Sequence, residues 1–224
     1  MSVHLNRTHE LKPGGRIVNE KVKKRTRLKG KERREQILRT ATEVFSTYGF
    51  HGASIRRLAQ AAGVSEAMIY RHFPSKEALY DAILEQRLQR SVPLYLSTQA
   101  AEAGQDREVL ETFVGNYLRE QRRDNSFMRM LLFSALEDHE LAHKFVEKPL
   151  QDYLLFLASY FEKRMKEGVM KTMDPHVPAR LLMGMVHYLA LLHGIYKDPG
   201  IQNTGIEDLK NLTVDLFCNG IMED

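Results

Sequence analysis

From about residue 31 onward, apolar residues recur at three- and four-residue spacing, the period of helices that bury one face. Ile37, Leu38, Ala41, Val44, Phe45 and Tyr48 form the first such stripe, opposed by Arg33, Arg34, Arg39 and Glu43. Gly49 ends it, as glycine often does just past a helix. Ile55, Leu58, Ala59 and Ala62 make a second, shorter stripe. Gly63 interrupts that pattern and Ser65 opens a third, which runs to Phe73. Ser54 and Ser65 stand where a hydroxyl can accept from the free N–H groups of a first helical turn. Two capped helices across a glycine-containing turn are the sequence form of a helix-turn-helix, whose second helix is the candidate reader of a DNA major groove.

Pro74 closes that unit, and Ser75 opens a fourth helix with Ala78, Leu79, Ala82, Ile83 and Leu88 on its apolar side. Val92-Pro93 is expected to break or kink the chain, and 97–106, rich in Ala, Gly and Gln, to be a loop or a frayed helix. Later helices are expected over 107–122, 126–138, 141–167, 178–196 and 206–221. The 126–138 segment is apolar nearly all round and should be buried. Pro149 predicts a kink inside 141–167, and Lys197-Asp198-Pro199-Gly200 a firm stop. No segment alternates with period two. The expected fold is all-α, about nine helices, with a three-helix head over 31–77 and a larger helical domain over 78–224.

Charge changes the picture at one end only. Residues 1–34 hold twelve Lys/Arg against three Glu, a net +9, so the remainder stands at −5 within a total of +4. Such an arm suits a polyanion touched at one end; a solubilising tail has the same composition. The run Pro13-Gly14-Gly15 and the lack of periodicity mark 1–30 as a flexible basic arm. Cys218 is the one cysteine, which rules out an intrachain disulfide. No run approaches the roughly 18 apolar residues of a membrane span, so a cytoplasmic protein is expected, without a membrane partner.

The stretch SIRRLAQAAGVSEAMIYRHF at 54–73, the preceding ILRTATEVFSTYGFHGAS and the following PSKEALY resemble the tetracycline-repressor (TetR) family of bacterial transcription regulators. The resemblance covers 37–79; beyond residue 90 it extends only to helix number and length. It implies a DNA-binding regulator, a repressor by this reading, that meets a pseudo-palindromic operator as a homodimer and is released by a small apolar effector. It also implies no enzymatic role and no cofactor, and no phosphate-binding glycine loop, nucleophile elbow or Cys/His metal framework stands in the sequence. An activator of the same fold, or a helical protein-binding adaptor, would share these features.

Val64, Ile69 and Phe73 fit core positions, which leaves Ser65, Glu66, Ala67, Tyr70, Arg71 and His72 on the reading side. Ser54, Arg56, Arg57 and Lys76 complete the candidate DNA-binding set. By the resemblance, Tyr70 and Lys76 stand at phosphate contacts. Arg71 is apt for guanine or for phosphate, and Glu66 for a cytosine amino group or for solvent. Of Arg56 and Arg57, one is expected on phosphate and one in water. Lys24, Arg25, Arg27 and Lys29 are expected to add diffuse phosphate or minor-groove contacts.

The apolar residues of 178–197 and 206–221 exceed one packing face, so these helices are the expected dimer interface. Candidate effector-lining residues are Phe113, Tyr117, Met130, Phe133, Tyr153, Phe156, Met165 and His187; for each of them core packing is the plainer alternative. His139 and His143, flanked by Glu137, Asp138 and Glu140, have metal-ligand spacing, but a charged helix junction looks the same, and no metal is assigned.

Overall fold

The computed structural model describes residues 30–95 and 98–223; the arm residues Lys24, Arg25, Arg27 and Lys29 lie outside them. The described residues form twelve α-helices and no strand. They are α1 (Gly30–Gly52), α2 (Ile55–Ala62), α3 (Glu66–His72), α4 (Lys76–Tyr95), α5 (Thr98–Glu102) and α6 (Asp106–Arg123). Then come α7 (Ser126–Leu136), α8 (Glu140–Phe145), α9 (Gln151–Lys166), α10 (His176–Leu191), α11 (Pro199–Asn203) and α12 (Ile206–Ile221). Two π-helical turns, Val146–Leu150 and Leu192–Tyr196, run α8 into α9 and extend α10.

The expected kink at Pro149 is the first of these turns. A proline offers no N–H to the i−4 carbonyl, so the ladder widens there. Pro93 behaves otherwise: α4 continues through Val92-Pro93 to Tyr95, so the break expected at that pair does not occur. One missing backbone hydrogen bond is a cost that a twenty-residue helix absorbs when the rest of it is packed. The frayed stretch near 97–106 contains the short α5. Gly49 does end the first regular helix: its φ of 68° and ψ of −178° turn the chain before Phe50, which is buried.

Two cores result. The first joins α1 to α4 and holds Leu38, Phe45, Phe50, Leu58, Ile69, Phe73, Leu79 and Tyr80, together with Phe127 and Met130 of α7. The second joins α6, α9, α10 and α12 around Leu110, Phe113, Leu157, Phe161, Leu182, Val186, Val214 and Phe217. Tyr48, placed on the first stripe by its spacing, is exposed and carries the Arg57 guanidinium 3.9 Å from its ring centre.

A charged brace ties the start of α6 to the end of α9. Asp106 accepts from Tyr160 Oη at 2.5 Å and from Arg164 Nε and Nη2 at 2.8 Å each. Both ends of the ion pair are largely sealed, with side-chain exposures of 13% for Arg164 and 10% for Asp106. Burial together with the Asp106 carboxylate pushes the Tyr160 phenol well above its ordinary value. Without Asp106, Arg164 keeps Glu167 as a partner, so the loss is smaller than that of a fully uncompensated buried charge. Asp106→Ala should therefore lower the unfolding free energy by about 2 kcal/mol, the scale of lost hydrogen bonds to a charged group. Asp215→Ala, at the exposed Arg107 pair, should leave stability nearly unchanged, because solvent screens such a pair. Urea titrations of the two variants followed by circular dichroism compare them directly.

Candidate nucleic-acid interface and cavity

The head is shaped by three serines. Ser54 Oγ accepts from Arg57 N at 3.2 Å, Ser65 Oγ from Met68 N at 3.2 Å and Ser75 Oγ from Ala78 N at 3.0 Å. Each satisfies one N–H that its helix start leaves free. Gly63 adopts the left-handed region (φ 63°, ψ 37°), and its N–H and that of Val64 return to carbonyls of α2. A side chain with a Cβ is costly in that conformation, so glycine suits the turn between α2 and α3.

Seven residues make α3, too few for a helix to stand alone. Burial of Ile69 and Phe73 in the head core holds it. That anchoring leaves Ser65, Glu66, Ala67, Tyr70 and Arg71 exposed and His72 half-buried. Among the described residues no carboxylate pairs with Arg71 or Arg56, so both guanidiniums are available to an external anion. Arg57 is committed: besides stacking on Tyr48, its Nη1 donates to Gly52 O at 3.1 Å. Lys76 is also engaged, donating to Phe50 O at 2.8 Å with its ammonium 4.0 Å from the Phe50 ring centre. It straps α4 to the chain that follows Gly49.

Helix α7 meets this head from the other side. Tyr80 Oη donates to Met130 O at 3.3 Å, Arg129 Nε to Ser46 O at 3.1 Å and Phe50 N to Glu137 Oε2 at 3.0 Å. His139 lies against the Phe50 and Tyr80 rings, with centres 4.1 and 5.1 Å away. Burial and the nearby His51 lower its pKa. His143 pairs with Asp138 at 3.3 Å. His139 and Glu137 thus face the head rather than a common centre with His143, and among the described residues no cluster of metal ligands forms.

The opposite side of α7 lines a cavity of about 570 Å³. Phe127, Met128, Leu131, Leu132 and Ala135 come from α7, and Phe113, Tyr117 and Gln121 from α6. Ala142, Phe145, Val146, Leu150, Gln151, Tyr153 and Leu154 come from the α8–α9 arm, Arg180, Met183, Gly184 and His187 from α10, and Arg87 from α4. Of the eight residues proposed from sequence, Phe113, Tyr117, Tyr153 and His187 line it. Met130 is buried in the head core instead, and Phe156 and Met165 pack on the outer side of the second core. Phe133 is half-buried on α7 away from the lining. A periodic stripe marks inward positions but not which of two cores they enter. Gln121 and Arg180 were not singled out, although each continues the helical spacing of a residue that was: Gln121 follows Tyr117 by four, and Arg180 precedes His187 by seven.

Tyr117 Oη lies 2.8 Å from His187 Nδ1. Burial lowers the His187 pKa, so the ring is held neutral and can accept from the phenol at Nδ1, leaving Nε2–H as a donor. Arg87 is neutralised by Glu120 at 2.7 Å.

Two sequence profiles match the chain: the TetR family of bacterial regulatory proteins over residues 37–83, and the C-terminal domain of AefR-like transcriptional repressors over 107–218. The head is similar to that of the HTH-type transcriptional regulator RutR of Escherichia coli, 46% identical over 56 residues, 25% of this chain and 26% of RutR. It is also similar to the HTH-type transcriptional activator FasR of Mycolicibacterium smegmatis, 44% identical over 66 residues, 30% of each chain. These matches thus span under a third of either relative. The whole fold is similar to that of AibR, solved with isovaleryl coenzyme A and operator DNA (TM-score 0.66, 22% identity, 82% of this chain and 97% of AibR). A Saccharomonospora viridis regulator solved with choline gives a TM-score of 0.67 at 20% identity, over 87% and 100% of the two chains.

The depressed His187 value has a sign that can be tested. Its unfolded-state value is about 6.5, so below that pH the unfolded chain takes up protons that the folded cavity refuses. Stability from the neutral ring is complete above about pH 6.5 and is lost as pH falls towards the folded value. Unfolding free energy should fall between pH 7.5 and 5.5, and His187→Gln should reduce that slope, as measured by urea titration at each pH.

Proposed function

The chain belongs to the TetR family of bacterial regulatory proteins, and we propose that it is a DNA-binding transcriptional repressor released from its operator by a small ligand in the cavity beside α7. One observation carries the reading. A reading helix with Tyr70, Arg71 and Glu66 exposed is anchored by Ile69 and Phe73 in the head core, which α7 completes with Phe127 and Met130 while its other side lines an apolar cavity. An anion-seeking surface and a ligand-sized space are therefore joined through the head core and α7. In this reading Arg71 contacts a guanine edge or a phosphate, and Tyr70 a phosphate. Arg56, being uncommitted, is the phosphate contact of its pair, while Arg57 orients the start of α2. Lys76 can reach phosphate only by sharing or leaving its carbonyl partner. The repressor sign is favoured by the AefR-like repressor profile over the C-terminal domain, although FasR is described as an activator.

Two half-sites ask for a two-fold dimer. Leu181, Tyr188, Leu212 and Leu216 support one through α10 and α12. They are 60, 58, 58 and 59% exposed, while Leu182, Val186, Val214 and Phe217 on the same helices are buried. Such a continuous apolar stripe on a lone chain is an expected interface.

Anisotropy titrations with a labelled duplex from upstream of its own gene test the reading. Arg71→Ala should weaken binding by about 5- to 150-fold, with the fold intact by circular dichroism. Deleting residues 1–29 should weaken binding and flatten the salt dependence without altering site preference. A chain that shows no preference for that duplex over random DNA, or that sediments as a monomer at micromolar concentration, would contradict the proposal.

A further inference from the structure

The charge and hydrogen-bonding pattern of the cavity describe its occupant. No Asp or Glu lines it, while two arginines do. Arg87 is spent on Glu120 and lies over the Phe127 ring. Arg180 has no such partner: among the described residues its one hydrogen bond goes to His176 O at 3.3 Å, and no carboxylate pairs with it. It is also exposed, at the edge of the cavity. A second feature lies at the other end, where Gln121 Oε1 is sealed from solvent without a hydrogen-bond partner. A buried polar atom left unmatched costs free energy that a ligand group can recover.

The separation of the two follows from the helices that carry them. Tyr117 meets His187, and Asn125 Nδ2 donates to Gly194 O at 3.1 Å, so α6 and α10 run parallel. Arg180 lies seven residues before His187 on one helix, and Gln121 four residues beyond Tyr117 on the other. At 1.5 Å per residue their spacing along the cavity is about 16 Å. Between them the wall is apolar apart from the Tyr117–His187 pair, Gln151 and the Tyr153 phenol.

We propose that the ligand is a slender amphipathic carboxylate. Its anionic group pairs with Arg180 at the mouth, its apolar body runs beside α7, and a hydroxyl at its far end reaches the Gln121 amide. A guanidinium fork suits a carboxylate, and a hydroxyl both donates and accepts, so it meets the amide in either orientation. One arginine without an acid partner, in a lining that holds no carboxylate, disfavours a cationic ligand. This assignment rests on the reading of the cavity as the effector site.

Calorimetric titration of the full chain with 12-hydroxydodecanoate, dodecanoate, 1-dodecanol and dodecyltrimethylammonium tests it. The hydroxy acid should bind tightest, and either acid at least about tenfold more tightly than the alcohol or the cation. Arg180→Gln should remove that advantage without changing affinity for the alcohol. Gln121→Leu, checked for an unchanged melting temperature, should equalise the two acids. Equal affinity for acid, alcohol and cation, binding by none of them, or an Arg180→Gln chain that still prefers the acids would overturn the assignment. Acid binding as expected, with operator affinity unchanged by it, would leave the assignment standing and overturn ligand release instead.

Discussion

Helix α7 is shared by two interiors, and the rest of the molecule is arranged around that constraint. Met130 and Phe127 complete the head core, while Phe127, Met128, Leu131 and Leu132 form one wall of the cavity. A helix packed into one core and walling a cavity on its other side transmits what fills the cavity, because the core at crystal-like density does not deform continuously. Glu137, Arg129 and the Met130 carbonyl add directional bonds to α1 and α4 at this junction. The polar links are short and few, and they fix register; the apolar contacts supply most of the attraction.

The same constraint explains the modest size of the reading element. A seven-residue α3 has no stability of its own and takes its orientation from Ile69 and Phe73, whose surroundings include α1 and α4. Anything that moves α4 relative to α1 moves α3. Coupling between a ligand and a distant site is a free-energy difference, usually about 1–3 kcal/mol. A change of that size needs only a small preference for one packing of α7 over another.

Much of this was legible in the chain itself, for physical reasons. The caps at Ser54, Ser65 and Ser75, the left-handed turn at Gly63 and the anchors Ile69 and Phe73 are local features, so sequence spacing reveals them. The all-round apolar character of 126–138 pointed to burial, and its cause is the double duty of α7. Features set by tertiary contact were not legible. Spacing assigned Tyr48 to the core, yet it serves as a platform for Arg57. Lys76, placed at a phosphate contact by the resemblance, donates to Phe50 O. Pro93 read as a break or a kink, and of the two the break does not occur, since α4 passes through it. Met130 belonged to a core stripe, but only the fold decides that it enters the head rather than the cavity. The polar ends of the cavity, Gln121 and Arg180, are visible only once α6 and α10 are known to lie side by side.

The reading head and the cavity meet at α7. Amide hydrogen exchange of the full chain, with and without the operator duplex, measures this most directly. Protection over 54–76 follows from DNA contact alone. Exchange should also change over 126–136 and 146–150, and Glu137→Ala, which removes the bond to Phe50 N, should suppress this remote change while leaving the direct one. Exchange altered over 54–76 alone, with 126–150 the same in the free and bound chain, would contradict it.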